Sequence, residues 1–134
     1  MTPEHDQYLC QHYPKLYGQR GGHPNSTSMC WGFECGDGWF ELIRKLSEQI
    51  ENYNNALPPD QPPIEATQVK EKFGTLRFYT NSYPPVLDPW IQEAEETSAK
   101  TCEGCGQEGK LVRQGGWLST FCSDCDVRRR ADRK

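Results

Sequence analysis

Residues 102–125 read CEGCGQEGKLVRQGGWLSTFCSDC: one Cys-x-x-Cys pair, sixteen residues, then a second pair. Two cysteines three apart can both reach one ion from a tight turn, and two such pairs complete a tetrahedral four-thiolate site. Cys102, Cys105, Cys122 and Cys125 are therefore read as the ligands of one structural zinc. Two redox pairs or unligated thiols are the alternative on the same spacing. A zinc with four protein ligands keeps no open position for water, so the site is expected to hold structure rather than catalyse. Residues 24–134 contain no histidine, which excludes a histidine-dependent metal-finger nuclease built on this module alone.

The remaining cysteines and all the histidines lie near the N-terminus: Cys10, Cys30, Cys35, His5, His12 and His23. One reading is a second metal site, with Cys10-x-His12 and Cys30-x4-Cys35 supplying four ligands. The bland reading is free thiols and solvated imidazoles. Another reading makes Cys35 a nucleophile. It precedes Gly-Asp-Gly at an expected helix start, where the dipole would lower its pKa. His12 or His23 would then serve as base, and Asp37 would orient it. The glycines around Asp37 also suggest a phosphate loop, but the nearby lysine and the glycine spacing of such loops are absent.

Two further stretches could contact a partner or nucleic acid. In VKEKFGTLRFY, Lys70, Lys72 and Arg77 interleave with Phe73, Phe78 and Tyr79. That pattern suits a stacking platform for single strands, but equally a strand pair with one greasy and one solvated face. At the C-terminus Arg128, Arg129, Arg130, Arg133 and Lys134 could grip phosphates, and Trp117 would be presented by the zinc module. A basic helix end is also what the helix dipole favours.

The elements that must position these residues are legible in outline. Trp39, Leu42, Ile43, Leu46, Ile50 and Tyr53 recur at spacings of three and four, which predicts a long helix with Asp37 as its cap. The Pro-rich run from Pro58 to Pro63 then makes a loop. Residues 64–80 predict a hairpin with Gly74 at a turn or bulge. Asp88-Pro89 predicts a second helix, capped by Asp88 with Pro89 at its first position. Leu111–Arg113 and Trp117–Thr120 predict a second hairpin, followed by a short helix through the arginines. Residues 1–35 are expected to be mostly irregular, with about one helical turn near Gln7–Tyr13. Tyr8, Leu9, Tyr13, Leu16, Tyr17, Trp31 and Phe33 are expected to pack that segment on the body.

The fold class expected is α+β: a small helix–hairpin–helix body over 36–100, the packed segment 1–35 before it, and a zinc module with basic tail over 101–134. Cysteine knuckle, hairpin and ligands at a helix N-terminus make the module a treble clef, with a plain zinc ribbon as the alternative. The totals agree with a small stapled core. The chain has 134 residues, of which 34% are hydrophobic. MTPEHDQY carries no apolar run and no stretch is long enough to span a bilayer, so a cytoplasmic location without membrane contact is expected. Reduced thiols there favour metal over disulfides. Residues 1–99 carry 7 Lys/Arg and 14 Asp/Glu, a net of −7; residues 100–134 carry 8 and 5, a net of +3. An acidic body with a basic tail argues against nucleic-acid binding over the whole surface.

GFECGDGWFELI, VKEKFGTLRFY, the acidic helix leading into SAKTCEGCG, then GGW and a closing cysteine pair together resemble a family of small proteins of bacteriophages and prophages. The resemblance spans roughly residues 31–125. Relatives often close the metal site with a histidine, whereas here Cys125 keeps it all-thiolate. The resemblance implies a phage protein in a bacterial host. With no complete catalytic constellation visible, the expected function is a non-enzymatic zinc protein that engages a host protein, such as a defence or nucleic-acid-processing complex. The second expectation is a nucleic-acid-binding accessory protein using the clef and tail, and the third an enzyme with Cys35 as nucleophile. Oligomeric state is not encoded in any pattern seen here.

Overall fold

The computed structural model describes residues 1–132. Their elements are helix α1 (Pro3–His12), strand β1 (Phe33–Glu34), helix α2 (Phe40–Asn55), strands β2 (Ala66–Lys72) and β3 (Thr75–Thr80), helix α3 (Leu87–Ser98), strands β4 (Lys110–Gln114) and β5 (Trp117–Phe121), and helix α4 (Ser123–Asp132). Short 3-10 turns cover Ser28–Trp31 and Asp37–Trp39. The mixed α+β class expected from sequence is the one observed.

The N-terminal segment is more regular than its composition suggests. Thr2 caps α1 by accepting the His5 amide, and Pro3 occupies the first turn. This is the pairing of cap and proline that the sequence offers again at Asp88-Pro89. There the structure differs: α3 begins at Leu87, and Asp88 makes no capping bond. Asp37 is likewise not the cap of α2. Its Oδ1 accepts the Thr2 amide at 2.7 Å and faces His5 Nδ1 at 3.0 Å, so the carboxylate serves α1 instead. A 3-10 turn starting at Asp37 leads the chain into α2 without a side-chain cap.

One apolar cluster joins the N-terminal segment to the body. Leu9, Tyr13, Leu16, Tyr17, Met29 and Phe33 are buried with Trp39, Ile43, Leu46 and Ile50 of the α2 stripe and with Val69, Leu76 and Phe78 of the sheet. Trp31, expected among the packed residues, is instead 66% exposed. Polar residues on the inner face of α2 satisfy the loops lying over it. The buried Glu51 carboxylate accepts the Lys15 and Leu16 amides, and Asn54 exchanges two hydrogen bonds with the backbone of Ile64 at the end of the Pro-rich loop. Backbone groups buried under a loop need such partners, since each left unmade costs about 1–3 kcal/mol.

The body sheet has the order β1-β2-β3, with β1 parallel to β2 and β2 antiparallel to β3. A register shift between Ala66 and Gln68 lets Ala66 and Val69 both point into the core despite their spacing of three. Lys70 lies opposite Arg77 on the other face. The turn between β2 and β3 is Phe73-Gly74, and both residues have positive φ, 55° and 87°. Two such residues make the type I′ turn that matches strand twist, for which Asn-Gly is the preferred sequence. Phe73 is the sole non-glycine residue at positive φ among the described residues, and its ring is 65% exposed, so it collects little packing in return.

Phe73→Asn should therefore stabilise the fold by about 1 kcal/mol, the approximate cost of a left-handed conformation at a residue with a large Cβ substituent. Urea unfolding of the zinc-loaded protein checks this, and a lower midpoint than wild type would contradict the strain assigned to Phe73.

Candidate metal centre

The first cysteine pair sits in a knuckle where the Cys102 carbonyl accepts the Gly106 amide at 2.9 Å and the Cys102 amide donates to the Gln107 carbonyl at 2.7 Å. The β4–β5 hairpin follows, pairing Lys110 with Phe121 through Gln114 with Trp117. Cys122 immediately precedes α4 and Cys125 lies in its first turn, where the Cys125 amide donates to Cys122 Sγ at 3.4 Å. Knuckle, hairpin and helix N-terminus are the treble-clef order. A plain ribbon would not supply the helix that carries Cys125.

The four Sγ atoms lie within 4.8 Å of one another, and Cys105 and Cys122 are 3.6 Å apart. Sulfurs at about 2.3 Å from a tetrahedral zinc stand roughly 3.8 Å from each other, whereas a disulfide would bring a pair to about 2.05 Å. All seven cysteines are free thiols. Burial alone would raise the Cys102 thiol, but the amides of Cys122, Cys105 and Gly104 outweigh it and bring it down to about 7. Burial and the neighbouring Cys122, Cys102 and Cys105 sulfurs push Cys125 the other way, up to about 12. Four crowded sulfurs cannot all ionise beside one another without a cation, and a divalent ion removes that conflict. Cys102, Cys105, Cys122 and Cys125 form one structural zinc site. The module has little else to hold it: among the described residues the apolar cluster contains none after Ala94, and Cys102 and Thr120 are the module's buried ones.

The centre is joined to the body through GDGW. The Gly38 amide donates to the Glu103 carbonyl at 2.8 Å, the Gly36 amide to the Glu103 carboxylate at 2.9 Å, and the Trp39 indole to the Thr101 carbonyl at 2.9 Å. A Cβ on Gly38 would overlap the Cys102 carbonyl oxygen and crowd the Gly106 amide, so only glycine permits this approach. A second joint lies at the hairpin turn, where the Thr120 hydroxyl donates to the Gly74 carbonyl at 2.6 Å. Local pattern assigns these glycines to a helix start. Their use as a docking surface depends on which distant segment meets them, which spacing does not reveal.

The other candidate residues fall differently. Cys10, His12, Cys30 and Cys35 are not brought together; among the described residues the C-terminal cysteines are the one group of three or more able to hold a metal. The Cys10 thiol donates to Asp6, the exposed His12 stacks on Tyr8, and the Cys30 carbonyl accepts from Arg20. Cys35 is buried, and that burial, with Glu103 nearby, pushes its thiol up to about 12, the reverse of the lowering expected from a helix dipole. Asp37 does orient a histidine, but it is His5 rather than the expected His12 or His23. Burial alone would raise the Asp37 carboxyl; the Thr2 amide and His5 hold it below its ordinary value.

The basic candidates divide. Lys70, Lys72 and Arg77 lie on the solvent side of the hairpin, Arg77 with a 3.8 Å ion pair to Glu95, while Phe78 points into the core and cannot stack on a ligand. Arg129 reaches Asp126 and Gln114 and covers the Phe121 ring, and Arg130 reaches Asp126 and the Arg113 carbonyl. Both serve the module itself, leaving Arg128 as the exposed arginine of the three. Arg133 and Lys134 lie outside the described residues. No described helix is long and apolar enough to cross a membrane. Comparison with protein-family models, curated proteins and solved structures finds no match to the chain.

Two outcomes follow from this geometry. Mass spectrometry under native conditions should find about one zinc per chain, with affinity falling as pH is lowered, because zinc must displace the proton that Cys125 holds at neutral pH. Affinity independent of pH between 8 and 6 (about the range of such titrations) would contradict thiol ligation. Gly38→Ala should lower stability by about 1–3 kcal/mol through overpacking against the knuckle, yet keep its zinc. An unchanged melting temperature would show that the junction is not tight.

Proposed function

We propose that the chain is a non-catalytic, zinc-stapled binding protein, of phage origin as the sequence resemblance implies, that engages a host protein through the end where the β2–β3 turn meets the zinc hairpin. The carrying observation is Phe73: an aromatic ring held exposed, at a backbone conformation it disfavours, beside an exposed Leu111. Within the fold the ring meets the Lys72 ammonium, 5.5 Å from its centroid, and strain at so exposed a residue points to use by something outside the fold. Trp117, 71% exposed at the tip of the same zinc hairpin, and Val127 on α4 add large apolar groups to a chain that has few to spare. Exposed aromatics of this kind are frequent anchors of protein interfaces. In this reading the zinc makes the presenting hairpin rigid, so little ordering cost remains on binding.

The nucleic-acid reading receives less support. Two of the three described tail arginines are spent on Asp126, and the platform loses Phe78 to the core.

The test is capture from bacterial lysate with matched baits. Wild type should retain a partner at about one-to-one, and the Phe73→Asn, Trp117→Ala double variant, folded and zinc-loaded, should lose it by at least about tenfold, as expected for two anchors. Equal retention by both baits, or none by wild type, would defeat the proposal.

A further inference from the structure

A groove of about 590 Å³ runs between α2, α3 and the zinc knuckle. Its size is that of small-molecule sites, which bury an apolar body and fix it with a few polar groups. Phe40, Leu46, Trp90 and Ala94 supply apolar lining, and His5 and Asp37 stand at one end. The His5 ring is held from two sides. It stacks on Phe40 with centroids 3.9 Å apart and planes 14° from parallel, and its Nδ1 lies 3.0 Å from Asp37 Oδ1. A carboxylate accepts only, so Nδ1 carries the hydrogen, and in the neutral imidazole Nε2 keeps its lone pair. No group among the described residues binds Nε2. The result is a fixed acceptor at the end of an apolar groove.

Several of the other polar groups at the margin are already committed. Lys45 pairs with Glu93 at 3.2 Å across the groove, and Arg44 pairs with Glu41 and Glu48 at 3.1 and 3.4 Å. The Gly38 and Gly106 amides donate to the Glu103 and Cys102 carbonyls. Cys105, a thiolate of a centre whose net charge with zinc is negative, lines the same end as Asp37. An acidic head group at this end would meet the Asp37 carboxylate and the Cys105 thiolate. A donor head would meet Nε2 and a negative field.

We propose that this groove binds a small amphipathic amine, its aromatic or apolar body against Phe40, Leu46 and Trp90 and its N–H head on His5 Nε2. The site is separate from the exposed Phe73 and Trp117, so it stands or falls independently of the partner surface.

The experiment uses zinc-loaded, isotope-labelled full chain titrated with tryptamine and, in parallel, with indole-3-acetate, which presents the same ring with an acidic head. Tryptamine should move the His5 imidazole and Trp90 indole resonances saturably. Indole-3-acetate should bind about tenfold more weakly or less, the difference expected for one charge-assisted hydrogen bond. His5→Phe, which keeps a ring on Phe40 but removes the acceptor, should abolish the preference for the amine. Thr97→Trp, an exposed position on the groove margin, should block both ligands without touching the core. Equal affinity for the two ligands, no saturable binding of tryptamine, or a preference that survives in His5→Phe would overturn the proposal.

Discussion

Four thiols drawn into one corner of a module with almost no apolar core is the constraint on which the C-terminal third depends. Sulfurs within 4.8 Å of one another repel as thiolates and pack poorly as thiols, and a divalent ion resolves both problems. The knuckle, the hairpin and the start of α4 are then fixed relative to one another by coordination. The body depends on that result too. The 36–39 turn takes its amide partners from Glu103, and the indole of the fully buried Trp39 finds its acceptor at Thr101. The most buried aromatic of the body is thus anchored to the chain that enters the metal site.

The body solves a related shortage in another way. With few hydrophobic residues available, it recruits the N-terminal segment into the core and satisfies the covering loops from polar residues on the inner face of α2. Glu51, Asn54 and Ser47 are buried there, each with a partner in a distant segment or, for Ser47, with Tyr17 and its own helix. A helix face that is wholly apolar would leave the Lys15, Leu16 and Ile64 amides without acceptors. Specificity of loop placement comes from these bonds, and the apolar stripe supplies the burial.

Against that economy, the large apolar groups left outside are informative. Phe73 and Leu111 sit where the two hairpins meet, and the Thr120–Gly74 hydrogen bond ties that end together. The groove near His5 is lined by the same knuckle through Cys105 and Gly106. One metal centre therefore adjoins both an aromatic-bearing tip and a small-molecule-sized cleft.

The sequence by itself determined the ligands, the long helix and both hairpins, because each is encoded within a short window: Cys-x-x-Cys spacing, a three-four apolar period, strand residues flanking glycine. It also carried the signal for α1 in Thr2-Pro3, which polar composition obscured. Only the tertiary structure decided what Asp37, Gly36 and Gly38 are for. A carboxylate before a helix can cap it or bind another segment, and a glycine can free a turn or admit a neighbour. The choice is made by the atoms that arrive from elsewhere: His5 and Thr2 at Asp37, the Cys102 and Glu103 backbone at the glycines. The same holds for Cys35 and for Arg129 and Arg130. Their reactivity or availability depends on burial and on partners outside their own window, and local pattern does not contain that information.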